Sequence, residues 1–182
     1  MIELEATGRV RDWLQLGVLV LGILGGLVAA VKALFDLREN LRWKRADTAK
    51  AFLSEIHEHD FASNAVMMLD WHDSQHEYAI TPDEKQDISY QQVLTALGKD
   101  KKDCTDLERF IRDCFDWFFY FIDRIEHYLT LKLIKFEDVA AVFKPYAKVI
   151  ELNKDTYVEF MKAHYYESAL KFWRRYWDAR AK

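Results

Sequence analysis

Asp113, Asp116, Tyr120, Asp123 and His127 recur at spacings of three and four, which places them on one side of a helix. Carboxylates, a phenol and an imidazole within mutual reach are the groups that general acid–base chemistry needs. Asp116, Asp123 and His127 are therefore the candidate catalytic residues, with a hydrolase as the implied class. Arg109, Arg112 and Arg124 border the strip. The same spacing equally suits a solvated helix face laced by pairs such as Arg109 with Asp113 and Arg112 with Asp116, and this plainer reading is preferred. His57, His59, His72 and His76 raise metal binding, since His72 and His76 lie four apart with Asp70 and Asp73 nearby. No glutamate follows in a zinc-protease pattern, so they read as a surface pair. No metal or cofactor is expected. Cys104 and Cys114 form no CxxC motif and read as small core or half-buried residues.

These residues need a scaffold, and the chain reads as all-α. Thr105-Asp106-Leu107-Glu108 is a capping box. It opens a helix over about residues 106–132, with Phe110, Ile111, Cys114, Phe115, Phe118, Phe121, Ile122 and Ile125 as a wide apolar stripe. Before it, residues 73–80 read as a loop. Thr81-Pro82-Asp83-Glu84 then reads as a helix start, carrying Val93, Leu94 and Leu97 to a stop at Gly98. After it, a short helix from Glu137 should break at Pro145 and restart to about Leu152. A last helix from Asp155 or Thr156 should present Tyr157, Phe160, Tyr165, Phe172, Trp173 and Tyr176. It ends in Trp173-Arg174-Arg175-Tyr176-Trp177, with Arg180 and Lys182 beyond. Basic residues there complement the helix dipole, or meet lipid head groups or RNA. No segment alternates convincingly at period two.

Trp13 to Val31 carries no ionisable side chain, in a chain otherwise 31% charged. At about 1.5 Å of rise per residue the run spans roughly 28 Å, close to the hydrocarbon thickness of a bilayer. A signal peptide would be shorter and followed by a small-residue cleavage site, so a retained anchor is expected. Arg9 and Arg11 precede it, while Lys32, Arg38, Arg42, Lys44 and Arg45 follow. The positive-inside rule then puts the N-terminus outside, with Arg38, Arg42, Lys44 and Arg45 at the membrane surface. Three parts result: 1–12 outside, a transmembrane helix over 13–35, and a cytosolic bundle over 36–182. No Pro or Gly separates Phe35 from His59, so the anchor should continue unbroken. Within the run, Gly22, Gly26 and Ala30 share a face, flanked by Gly25, Ala29 and Ala33. Small residues let membrane helices approach closely, which implies self-association.

The net charge of −4 argues against a general nucleic-acid binder. Aromatic content of 15% excludes a disordered tail.

The anchor entering Arg38 to Ala46, then Met68-Leu69-Asp70-Trp71, then Ile111-Arg112-Asp113-Cys114-Phe115-Asp116, resembles small bacterial membrane proteins with one N-terminal span and a cytosolic helical domain. The layout is similar to the accessory membrane pore proteins of type VI-B CRISPR systems. The resemblance implies an oligomeric inner-membrane effector or pore in anti-phage defence. Those proteins have been compared with HEPN-type helical ribonucleases, whose motif is Arg, four to six residues, then His. No arginine here has a histidine at that distance, so no catalytic residue is carried over. The expected partners are the bilayer, further copies of the chain, and a cytosolic protein or RNA. A monomeric adaptor recruiting a soluble partner is the rival.

Overall fold

The computed structural model describes the backbone of residues 2–81 and 84–180, and the side chains of 17, 19, 21–80 and 84–178. Trp13, Gln15, Arg9, Arg11, Pro82, Arg180 and Lys182 fall outside the described side chains. Among the described residues the chain is mostly helical, 81% helix, with seven helices and one two-stranded sheet. The helical expectation holds, and the sheet is a departure from all-α. The chain divides into two compact units, Met1–Lys44 and Arg45–Lys182.

Helix α1 runs unbroken over Ile2–Glu58, as the missing Pro and Gly after Phe35 predict. In the first unit Leu34, Leu37 and Leu41 are exposed, while in the second Ala49, Phe52 and Ile56 are buried. Among the described residues no helix is long and apolar enough to cross a membrane.

The second unit is built around α4 (Asp106–Thr130). The Thr105–Glu108 capping box forms as expected: the Glu108 carboxylate accepts from the Thr105 amide at 2.8 Å, and the Glu108 amide donates to the Thr105 hydroxyl. Phe115, Phe118, Phe119, Ile122 and Ile125 are fully buried. Against α4 pack α2 (Asp60–Asp70), α3 (Tyr90–Gly98) and α7 (Glu167–Arg180). Helices α5 (Phe136–Leu152) and α6 (Lys154–Ala163) complete the unit. Trp173, Tyr157, Phe143 and Phe160 fill its centre.

Three elements differ from expectation. First, a hairpin of β1 (His76–Thr81) and β2 (Glu84–Ile88) replaces the loop and the helix start at Thr81. Tyr78 pairs with Gln86 and His76 with Ile88. Tyr78 and Ile88 turn inward, while Glu77 and Lys85 pair on the outer face at 3.2 Å. The capping box that wins is Ser89 with Gln92. Second, α5 passes through Pro145 without ending. The proline lies on the exposed face, where water can take the carbonyl its ring frees, while Phe143, Ala147 and Ile150 hold the other face in the core.

Third, the expected last helix is two. Helix α6 stops in a Schellman turn: the Tyr166 amide donates to the Met161 carbonyl and the Tyr165 amide to that of Lys162. Tyr165 takes φ 62° and is 88% exposed. A left-handed non-glycine residue costs about 1–2 kcal/mol, partly offset in a glycine variant by unfolded-state entropy. Tyr165→Gly is therefore expected to stabilise the protein by roughly 0.5–1 kcal/mol. A lower urea midpoint would mean that the tyrosine makes a contact stronger than its strain. The turn after α4 is closed the same way, with Lys132 at φ 59°.

Candidate functional site

The polar strip of α4 is drawn to different neighbours rather than to itself. The Tyr166 hydroxyl donates to Asp116 at 2.9 Å. The Ala169 amide, in the first turn of α7, donates to Asp123 at 3.1 Å. Asp123 thus acts as an N-cap supplied from another helix. His127 is exposed, its ring edge-on to Tyr128. Burial, with the Asp116 carboxylate beside it, pushes the Tyr166 phenol far above its usual range. Asp123→Ala is expected to cost about 1–2 kcal/mol of stability, the value of a lost cap, while Asp123→Asn, which keeps an acceptor, costs less. Equal urea midpoints for the wild type and Asp123→Ala would remove the capping role.

The arginines beside the strip do not pair as the spacing suggests. Arg109 pairs with Asp106 at 2.7 Å, not Asp113. Arg112 leaves the strip and is 7% exposed. Its guanidinium donates to the carbonyls of Ala96, Leu97 and Lys99, so it closes the C-terminal end of α3. It also lies over the Phe160 ring at 5.1 Å. Arg124 pairs with Glu55 of α1 at 2.8 Å and faces Phe52.

One ion cluster around a buried carboxylate had no sequence signal. Glu126 is 1% exposed and accepts two bonds from Arg175, at 2.9 and 2.6 Å, with Lys171 at 2.9 Å. Burial pulls its carboxyl up, but hydrogen bonds from Arg175 and Lys171 more than offset this and hold it below the ordinary value. Of the expected basic end of α7, Arg174 is exposed and Arg175 half-buried, while Arg180 and Lys182 lie outside the described side chains. Arg175 turns to Glu126, Trp173 and Trp177 are buried, and the Tyr176 hydroxyl donates to the Ala140 carbonyl at 3.1 Å.

The histidines stay apart. His57 bonds the Leu53 carbonyl, and His59 caps α2 and lies 4.2 Å from the Trp117 ring. His72 pairs with Asp73 at 3.2 Å, and His76 stacks flat on Trp71. Among the described residues no three His, Cys, Asp or Glu side chains gather as a metal site. Cys104 and Cys114 are free and buried.

Two grooves flank α5. The larger, about 1030 Å³, lies beside Asp70, His72, Tyr146 and Val149. There burial raises the Asp70 carboxyl against the Tyr146 hydrogen bond, and Tyr146 itself is pushed up to about 12 by burial and by Asp70. The other, about 770 Å³, lies beside Phe136, Ala147, Arg175 and Tyr176.

In the first unit, Leu19, Leu21, Ile23, Leu24, Leu27, Val28 and Val31 are all exposed. At about 100° per residue, these bulky chains cover one side of α1. Gly22, Gly25, Gly26, Ala29, Ala30 and Ala33 together cover the other. A Cβ added at Gly17, Gly22, Gly25 or Gly26 would meet nothing within 4 Å. Of the expected surface residues, Arg38, Arg42 and Lys44 are exposed, whereas Arg45 is half-buried in the second unit. The chain matches no protein-family model, no curated protein and no solved structure.

Proposed function

We propose that this is a self-associating, non-enzymatic membrane effector of the bacterial inner membrane. The run Trp13–Val31, within a span of 13–35, inserts with the N-terminus outside and residues 36–182 in the cytosol. The carrying observation is the surface of α1. Bulky apolar side chains are exposed along one side and small residues along the other, over several turns. A helix apolar all round is stable only when covered by protein or lipid. Lipid suits the bulky side, and a second copy of α1 suits the small side, where backbones can approach. The roles as a pore and in anti-phage defence rest on the layout resemblance alone. Against a hydrolase stand the separate structural bonds of Asp116 and Asp123.

The test is the mass of the full chain in nanodiscs by native mass spectrometry. A discrete oligomer is expected. A monomer would overturn self-association, and full recovery in the aqueous phase without detergent would overturn insertion. The grooves flanking α5 favour one second reading, a monomeric adaptor. A monomer that captures a soluble partner through Lys144 and Lys148, which line both grooves, would support it.

A further inference from the structure

The geometry points to a phosphate-binding recess in the second unit, formed by Arg45, Lys132, Lys135 and Arg175. These residues come from three separate places: α1, the turn between α4 and α5, and α7. They line one open recess of about 350 Å³, floored by Leu129, Ile134 and Phe136. Ile134 is buried and Phe136 half-buried. The Arg45 Nε is buried and has no hydrogen-bond partner among the described residues. A desolvated guanidinium donor left unpaired is costly, and an anionic oxygen is its strongest acceptor.

The surrounding charges leave the recess cationic. Glu137 also lines it, and Glu126 holds Arg175 and Lys171, so the excess positive charge is that of Arg45, Lys132 and Lys135. Asp138 turns away to accept from the Lys135 amide at 2.8 Å. The last α4 carbonyls are taken by the Schellman turn, where Leu133 and Lys132 amides donate to Tyr128 and Leu129. Apart from the Glu137 carboxylate, little acceptor capacity therefore remains for the three cations. A carboxylate offers one plane of acceptors. A phosphate offers oxygens in several directions, which suits donors converging from three elements and the planar fork of an arginine. The ligand class is a phosphate group, carried by a free phosphorylated molecule or by a phospholipid head group.

The proposal stands apart from self-association and is tested without it. The full chain in an uncharged detergent is titrated with inorganic pyrophosphate, following the melting temperature and ³¹P line width. A second arm compares micelles doped with phosphatidylglycerol against micelles doped with phosphatidylcholine. Saturable binding is expected in one arm. Pyrophosphate binding identifies a free phosphate ligand, and stabilisation by phosphatidylglycerol alone identifies a head group. In either case Lys132→Gln with Lys135→Gln, both exposed positions, should weaken it at least tenfold. Arg45→Gln should do the same, while Lys85→Gln on the hairpin should not. Absence of binding in both arms would overturn the proposal. Binding of equal strength in the wild type and the Lys132/Lys135 variant would also overturn it.

Discussion

Gly22→Ile combined with Gly26→Ile is expected to turn the proposed oligomer into a monomer while leaving the fold intact. A Cβ at either position meets nothing within the chain. Replacing glycine inside a helix also removes a propensity cost of about 1 kcal/mol. The single helix therefore tolerates or gains from the change, and any loss must arise between copies. At a close helix–helix contact, overpacking costs roughly 2 kcal/mol per site. Two sites on one face amount to about 4 kcal/mol, or roughly a thousandfold in association. Native mass spectrometry at a fixed protein-to-lipid ratio measures this directly. Leu24→Ile with Val28→Ile, on the bulky side, should leave the mass unchanged. Oligomers of equal size in the Gly22/Gly26 variant and the wild type would sink the small-residue interface.

Arg175→Met is expected to be the most destabilising single change among the polar residues, at about 3 kcal/mol. It strips two hydrogen bonds from a carboxylate that is 1% exposed and leaves Lys171 as its remaining cation. Losing this bidentate partner leaves a buried carboxylate with a single, more exposed lysine. Replacing both, Glu126→Met with Arg175→Leu, should recover most of the loss, because two apolar residues carry no desolvation cost. The pH dependence gives a further check. In the wild type the Glu126 carboxyl lies below its ordinary 4.5. It therefore contributes stability that is present above that value and lost as pH falls through the folded one. Without Arg175 a main cause of that lowering is lost, and the carboxyl moves up. The gap between wild type and Arg175→Met should thus be widest near neutrality and narrow in acid. Urea midpoints at several pH values would show it, and a gap that widens in acid would contradict the assignment.

The helical unit was legible where local chemistry and burial agree. Thr105 and Glu108 announced α4, and its aromatic stripe announced the core. The hairpin was hidden because β2 reads Glu-Lys-Gln-Asp-Ile, with polar residues on both faces until Ile88. The inward set of β1, His76, Tyr78 and Ile80, spans too few residues to separate period two from a loop. The break between α6 and α7 was invisible because a tyrosine stands where glycine is usual, so the Schellman turn had no sequence mark. At the candidate sites the periodicity of α4 placed Asp116 and Asp123 on one face. It could not say that α7 lay opposite. Arg112 and Glu126 were unreadable for the same reason, since their partners lie in α3 and α7.

Helix α4 holds α7 through a sequence of polar clasps: Asp116 to Tyr166, Asp123 to Ala169, and Glu126 to Arg175 and Lys171. The start of α7 is defined by a residue that lies 46 positions earlier in the chain. Its first turn is therefore conditional on docking and is not nucleated by its own sequence. The amide of Ala169 is therefore expected to exchange with solvent only when α7 separates from α4.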